Sequence, residues 1–229
     1  MQAGDRANPF KSAWLVPAGL LVLCVVPVLA GAVRLSQLAA GAVTPENARF
    51  FASPAPVIIH VISVSLFCVM GAFQFVPTLR IRKAWHRIAG RLLLPFGLAA
   101  AISGLWMAQF YRLPESDGSV LYVERMVFGS AMLASLLLGY AAIRRRDFAR
   151  HGAWMMRGYA IGLGAGTQVL TNVPWFLLVG TPNVTTRAIL MGAGWVINVA
   201  VAEWIIRVRG AQFVFVPSAP PKRLAAGRQ

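Results

Sequence analysis

The chain has 229 residues, 58% of them apolar and only 13% charged, and its mean hydropathy is +0.65. So oily a composition excludes an ordinary soluble domain and defines an integral membrane protein. The 22 Lys and Arg against 7 Asp and Glu do not describe a nucleic-acid binder, because they punctuate apolar runs instead of forming a stripe on a soluble face.

A helix needs about 20 apolar residues to cross the hydrocarbon core. Six segments meet that requirement: 13–33, 55–77, 88–111, 121–143, 154–180 and 186–206. The first follows Lys11 and contains Ala30-Gly31-Ala32, which invites a signal-peptide reading. Its 21 residues exceed a usual signal core, so an uncleaved first span is expected. Pro54 and Pro56 precede the second segment, and Pro114 and Gly118 follow the third. The fifth is long and carries Asn172 and Pro174, so a kink or early end is expected near its outer end. The predicted architecture is all-α: an integral membrane bundle of six transmembrane helices over 13–210, after a cytoplasmic N-terminus at 1–12. The stretch 211–229, with its Pro, Gly and basic residues, is expected to be a mobile cytoplasmic tail.

The basic residues orient this bundle. With the N-terminus inside, 17 Lys and Arg fall on the inner side and 5 on the outer side. That asymmetry places both termini in the cytoplasm. No long soluble segment offers a nucleotide- or flavin-binding module, so such chemistry would need a partner. The run Gly162-Leu-Gly-Ala-Gly166 has no preceding strand and is no dinucleotide fingerprint. Its small residues, with Gly192 and Gly194, read as close helix packing before they read as room for a flat ligand. Cys24 and Cys68 lack metal-ligand spacing and read as buried structural thiols.

Three histidines remain to be explained. His60 lies near the outer end of the second span, with Ser63, Glu124 and Arg125 placed to share its level. His86 and His151 each follow a basic loop at the cytoplasmic start of a span, in RIRKAWHRIAGR (80–91) and RRRDFARHGAWMMR (144–157). Each is followed by an arginine one to two turns deeper, Arg91 and Arg157. Two imidazoles on facing helices at one depth form an axial pair for a b-type haem, so His86 and His151 are candidate iron ligands. Arg91 and Arg157 would then pair with the propionates. Binding of lipid headgroups or helix capping explains the same residues equally well. If His60 held a second haem, its partner ligand would be Met107, Met126 or a histidine of another chain. Glu203 is expected to pair with Arg207 one turn on, and Glu124 to be solvated beside Arg125. Gln74, Gln109, Gln168, Asn172 and Asn198 could serve a quinone, though joining helices is the commoner use. HExxH, GxSxG and P-loop motifs are absent.

With His60 and GAFQF (71–75), HRIAGR (86–91) and HGAWMMRGYA (151–160), the chain resembles a bacterial family of multi-pass membrane proteins of unknown function. The resemblance covers residues 55–205. It implies that His60, Arg80, His86, Arg87, Gly90, Arg91, His151, Trp154, Met155, Arg157 and Tyr159 match motif positions, and it implies no reaction. Where a second arginine is expected beyond the last motif, this chain has Gly166-Thr167-Gln168. More loosely, a small bundle with inward histidines is similar to b-type cytochrome membrane domains.

The expected function is a haem-binding electron-transfer subunit of the bacterial inner membrane, embedded in the lipid bilayer and acting with quinone or a redox partner protein. The alternative is a small transporter or a scaffold without cofactor. The two differ in whether the purified protein is coloured.

Overall fold

The computed structural model describes residues 9–76, 79 and 83–214. Its helices are α1 (Pro9–Ala40), α2 (Ala48–Ala52), α3 (Pro54–Ala72), α4 (Lys83–Phe110), α5 (Gly118–Arg144), α6 (Phe148–Gly162), α7 (Gly164–Leu178) and α8 (Val184–Val214). Short 3-10 turns at Phe73–Phe75 and Glu115–Asp117 complete the regular structure, and the described residues contain no strand. Five stretches, in α1, α3, α4, α5 and α8, are long and apolar enough to cross a membrane. Leu15, Leu177 and Leu178 are more than 70% exposed, as lipid-facing side chains are. Residues 1–8 and the expected tail beyond Val214 lie outside the described residues, as does Arg80.

The boundaries follow from local chemistry. Gly41, at φ +72°, ends α1 in the left-handed region that glycine tolerates. Pro54 starts α3, where a missing N–H costs nothing. The Asp147 carboxylate accepts from the Arg150 amide at 3.0 Å and caps α6. Asn183 does the same for α8 through the Thr186 amide at 2.8 Å.

The fifth expected span departs from its prediction. It does not break at Asn172 or Pro174, since Pro174 sits inside α7. It breaks at Leu163, giving two helices of 15 residues each. The amide of Leu163 bonds back to Tyr159 and that of Gly166 to Leu163. Two carbonyls near the break are met from other helices: Asn198 donates to Ala160 at 3.1 Å and Cys68 to Gly162 at 3.4 Å. Such partners are what make irregular backbone tolerable in an apolar setting.

This break shapes the interior. Helices α1, α3, α4, α5, α8 and α7 touch in that cyclic order and close a ring. Helix α6 packs against α3, α4, α5 and α8 and so fills the middle, whereas α7 sits between α8 and α1. The core of Phe67, Leu136, Tyr159 and Ile161 gathers around α6. Beyond Leu163 the chain joins the wall of the ring, and the axis it leaves is open.

Candidate functional site

That opening is a cavity of about 390 Å³, within the range of roughly 300–1,000 Å³ usual for small-molecule sites. Every long helix contributes to it, from Cys24 of α1 to Trp195 of α8. Most of its wall is apolar, and its polar groups are few and placed.

His60 is the first of them. Its Nδ1 lies 2.9 Å from the Ala100 carbonyl oxygen and 3.3 Å from Ser103 Oγ. A carbonyl only accepts, so Nδ1 carries the hydrogen and Nε2 holds the lone pair. Among the described residues Nε2 makes no hydrogen bond. Ser103 donates to its own helix, at Ala99, 2.5 Å away. A Cβ at Gly104 would lie 3.1 Å from the imidazole Cε1, so a glycine there lets α4 accept the ring.

A charged cluster stands at the end of the cavity nearest Asp117. The Asp117 side chain is only 3% exposed and accepts from Arg125 at 2.8 Å and Arg187 at 3.0 Å. Arg49 and Arg125 both line the cavity. Arg49 donates to the Arg112 carbonyl at 3.3 Å, and with Arg34 it lies over the Phe50 ring at 4.7 and 4.6 Å. Burial holds the Arg49 guanidinium below its usual pKa, with Asp117 opposing that shift and Arg34 adding to it. Arg125 therefore pairs with Asp117, against the expectation that it and Glu124 share solvent. Glu124 Oε2 is buried and lacks a hydrogen-bond partner among the described residues.

Of the five residues expected to hold a cofactor, only His60 lines this cavity. Met107, weighed as its possible co-ligand, lines it too, whereas Met126 does not. His86 and His151 lie in the first turns of α4 and α6, two helices in contact with each other. His151 Nδ1 is 2.9 Å from the Gly139 carbonyl, so it too donates and leaves Nε2 as the lone-pair nitrogen. Arg91 is exposed on α4. Arg157 makes a two-pronged pair with Glu203, at 2.5 and 3.0 Å, and lies 4.5 Å over the Trp154 ring. Glu203 thus pairs across the bundle, not with Arg207 on its own helix. A fork-to-carboxylate contact supplies two parallel hydrogen bonds, which a pair along one helix rarely matches. Among the described residues no three of His, Cys, Asp and Glu group as metal ligands; a bis-His haem site would use only two.

The amides mostly join helices. Gln168 donates to the Met191 carbonyl at 3.0 Å, and Asn198 accepts from Thr167 at 2.7 Å. Gly164 and Gly166 serve close packing: a Cβ on the first would strike the Trp195 ring and on the second the Leu23 carbonyl, both 2.3 Å away. Sequence reasoning missed Asp117, which sits in a PESDG stretch that reads as an ordinary turn. The chain has only 7 acidic residues, and that scarcity was the available signal.

A ring of apolar helices around a largely apolar cavity with a few placed polar groups defines a polytopic α-helical membrane protein. The family described as "Predicted membrane protein (DUF2306)" matches residues 57–206, more than half of the chain, and the chain belongs to that family. No curated protein and no solved structure matches it.

Proposed function

We propose that α6 and α7 together form a sixth crossing and that both termini face the cytoplasm of a bacterial inner membrane. Each half, at about 1.5 Å per residue, is too short to span a hydrocarbon core of about 30 Å, whereas the pair is long enough. The 17-to-5 division of basic residues supports this orientation.

Within that frame the protein is an electron-transfer subunit that binds a quinone in the central cavity. The observation that carries this reading is His60, whose Nδ1–H is committed to Ala100 while Nε2 remains as an acceptor in a chamber whose wall is mostly apolar. A quinol hydroxyl fits such an acceptor, and on oxidation of the quinol the imidazole is placed to receive its proton. Short-chain ubiquinone or menaquinone analogues should quench the tryptophan fluorescence of the detergent-purified protein, since Trp195 lines the cavity. His60→Phe should weaken quinol binding roughly 2- to 12-fold, the worth of one hydrogen bond of about 0.5–1.5 kcal/mol. Its effect on the oxidised quinone should be smaller, because Nε2 has no hydrogen to give a carbonyl. Equal losses for both redox forms would count against His60 as the acceptor.

A second reading, a b-type haem on His86 and His151, is favoured by the His151–Gly139 bond. A backbone carbonyl on Nδ1 is how iron-bound imidazoles are commonly oriented. Arg91 would be the arginine left for a propionate, Arg157 being held by Glu203. A bound haem would supply a one-electron carrier between the cytoplasmic surface and the cavity. The dithionite-reduced spectrum should then show sharp α and β bands, lost in both His86→Ala and His151→Ala. A colourless, well-folded protein that also ignores quinones would point instead to transport or scaffolding.

A further inference from the structure

The chain's two cysteines come from different helices, Cys24 near the midpoint of α1 and Cys68 late in α3. They are 4% and 6% exposed, and both belong to the central core. Helices α1 and α3 pack against each other, and the two thiols are near enough to influence one another. Both line the cavity. Buried cysteines that act only as small apolar side chains need neither to meet nor to face a chamber. His60, Val64 and Cys68 follow one another at intervals of four residues along α3, and all three line that chamber. The rise from His60 to Cys68 is about 12 Å, so a single occupant reaches from the imidazole toward the sulfurs. The backbone at the pair is also held, because the Tyr159 hydroxyl donates to the Cys68 carbonyl at 2.8 Å.

We infer that Cys24 and Cys68 form a dithiol–disulfide redox pair joining α1 to α3, and that a quinone in the cavity is its oxidant. In the forward direction two S–H bonds break and one S–S bond forms. The two electrons and two protons released pass to the quinone, whose carbonyl oxygens become the hydroxyls of a quinol. The reverse direction reduces the disulfide at the expense of a quinol. The pair itself stands on the place both thiols share in the core and in the cavity wall, on two helices in contact; the oxidant rests on the quinone reading of the cavity.

The test uses the full-length protein in nanodiscs, reduced, freed of reductant and kept anaerobic. Diamide or decylubiquinone is added, the protein is denatured in N-ethylmaleimide, and thiols are counted by intact mass. Both reagents should remove the two thiols together, leaving a monomer lighter by two hydrogens, and the quinone should yield one quinol per disulfide. Cys24→Ser and Cys68→Ser should each yield no quinol and leave the remaining thiol open to alkylation after either reagent. If diamide leaves both thiols open to alkylation, the pair does not close and the inference falls. If diamide closes it and the quinone binds without oxidising it, the quinone is not the oxidant and the inference falls while the cavity reading stands. If diamide closes the pair and the quinone neither binds nor oxidises, the cavity reading fails and the proposed oxidant with it.

Discussion

Asp117→Ala is expected to lower the stability of the protein by about 3 kcal/mol, at the lower end of what removing one partner of a buried ion pair costs. The carboxylate is 3% exposed and meets Arg125 and Arg187, which are 24% and 34% exposed. Those two arginines come from α5 and α8, and Asp117 itself ends the turn before α5, so one side chain joins three elements. Arg49 faces the same charge. Without the carboxylate, Arg49, Arg125 and Arg187 would repel one another at this end of the cavity, and water would satisfy them only in part. Arg187→Ala should cost less, because Asp117 keeps Arg125 and the lost arginine is the more exposed of its two partners. Unfolding midpoints in detergent titrated with SDS measure the difference. A loss for Asp117→Ala no larger than that for Arg187→Ala would mean that the carboxylate is not the keystone of this end of the bundle.

Gly166→Leu should be nearly as damaging, by about 1–3 kcal/mol or more, because overpacking against backbone has little room to relax. The added Cβ would lie 2.3 Å from the Leu23 carbonyl oxygen, so α1 must move away from α7. Leu23 and Cys24 both line the cavity, and the substitution should therefore also weaken quinone binding and separate the two thiols. Gly152 is the matched control. It lies in α6 with nothing within 4 Å of where a Cβ would stand, and Gly152→Ala should be neutral or stabilising by up to about 1 kcal/mol. Equal thermal shifts for Gly166→Leu and Gly152→Ala would remove the close α1–α7 approach from the account.

Much of the fold was legible in one dimension because hydropathy is a local property. The apolar runs predicted from Ala13, Ala55, Ile88, Leu121 and Thr186 each begin within a long helix. The break in the fifth run was misplaced because Asn172 and Pro174 are the residues that usually disturb a helix. In this protein Pro174 is absorbed within α7, and the disturbance falls where Gly162 and Gly164 flank Leu163, with carbonyls met from α3 and α8. Those donors lie 94 and 38 residues away along the chain, and no periodicity reports them. The site divides in the same way. His60 stood out as an ionisable group in an apolar run, but its partner Ala100 contributes only a backbone oxygen, which no side-chain pattern encodes. Arg157 stood out as an arginine beyond a basic loop, yet the carboxylate it meets is 46 residues distant.

The carbonyl of Gly162, at the bend between α6 and α7, accepts its hydrogen from the sulfur of Cys68. A disulfide has no such hydrogen. Oxidising the pair would therefore leave that oxygen to find another donor at a depth where water is scarce. The chemical state of one sulfur and the angle of a broken helix are in this way a single coupled variable, and the electrons stored in the pair would be written into the shape of the chamber beside it.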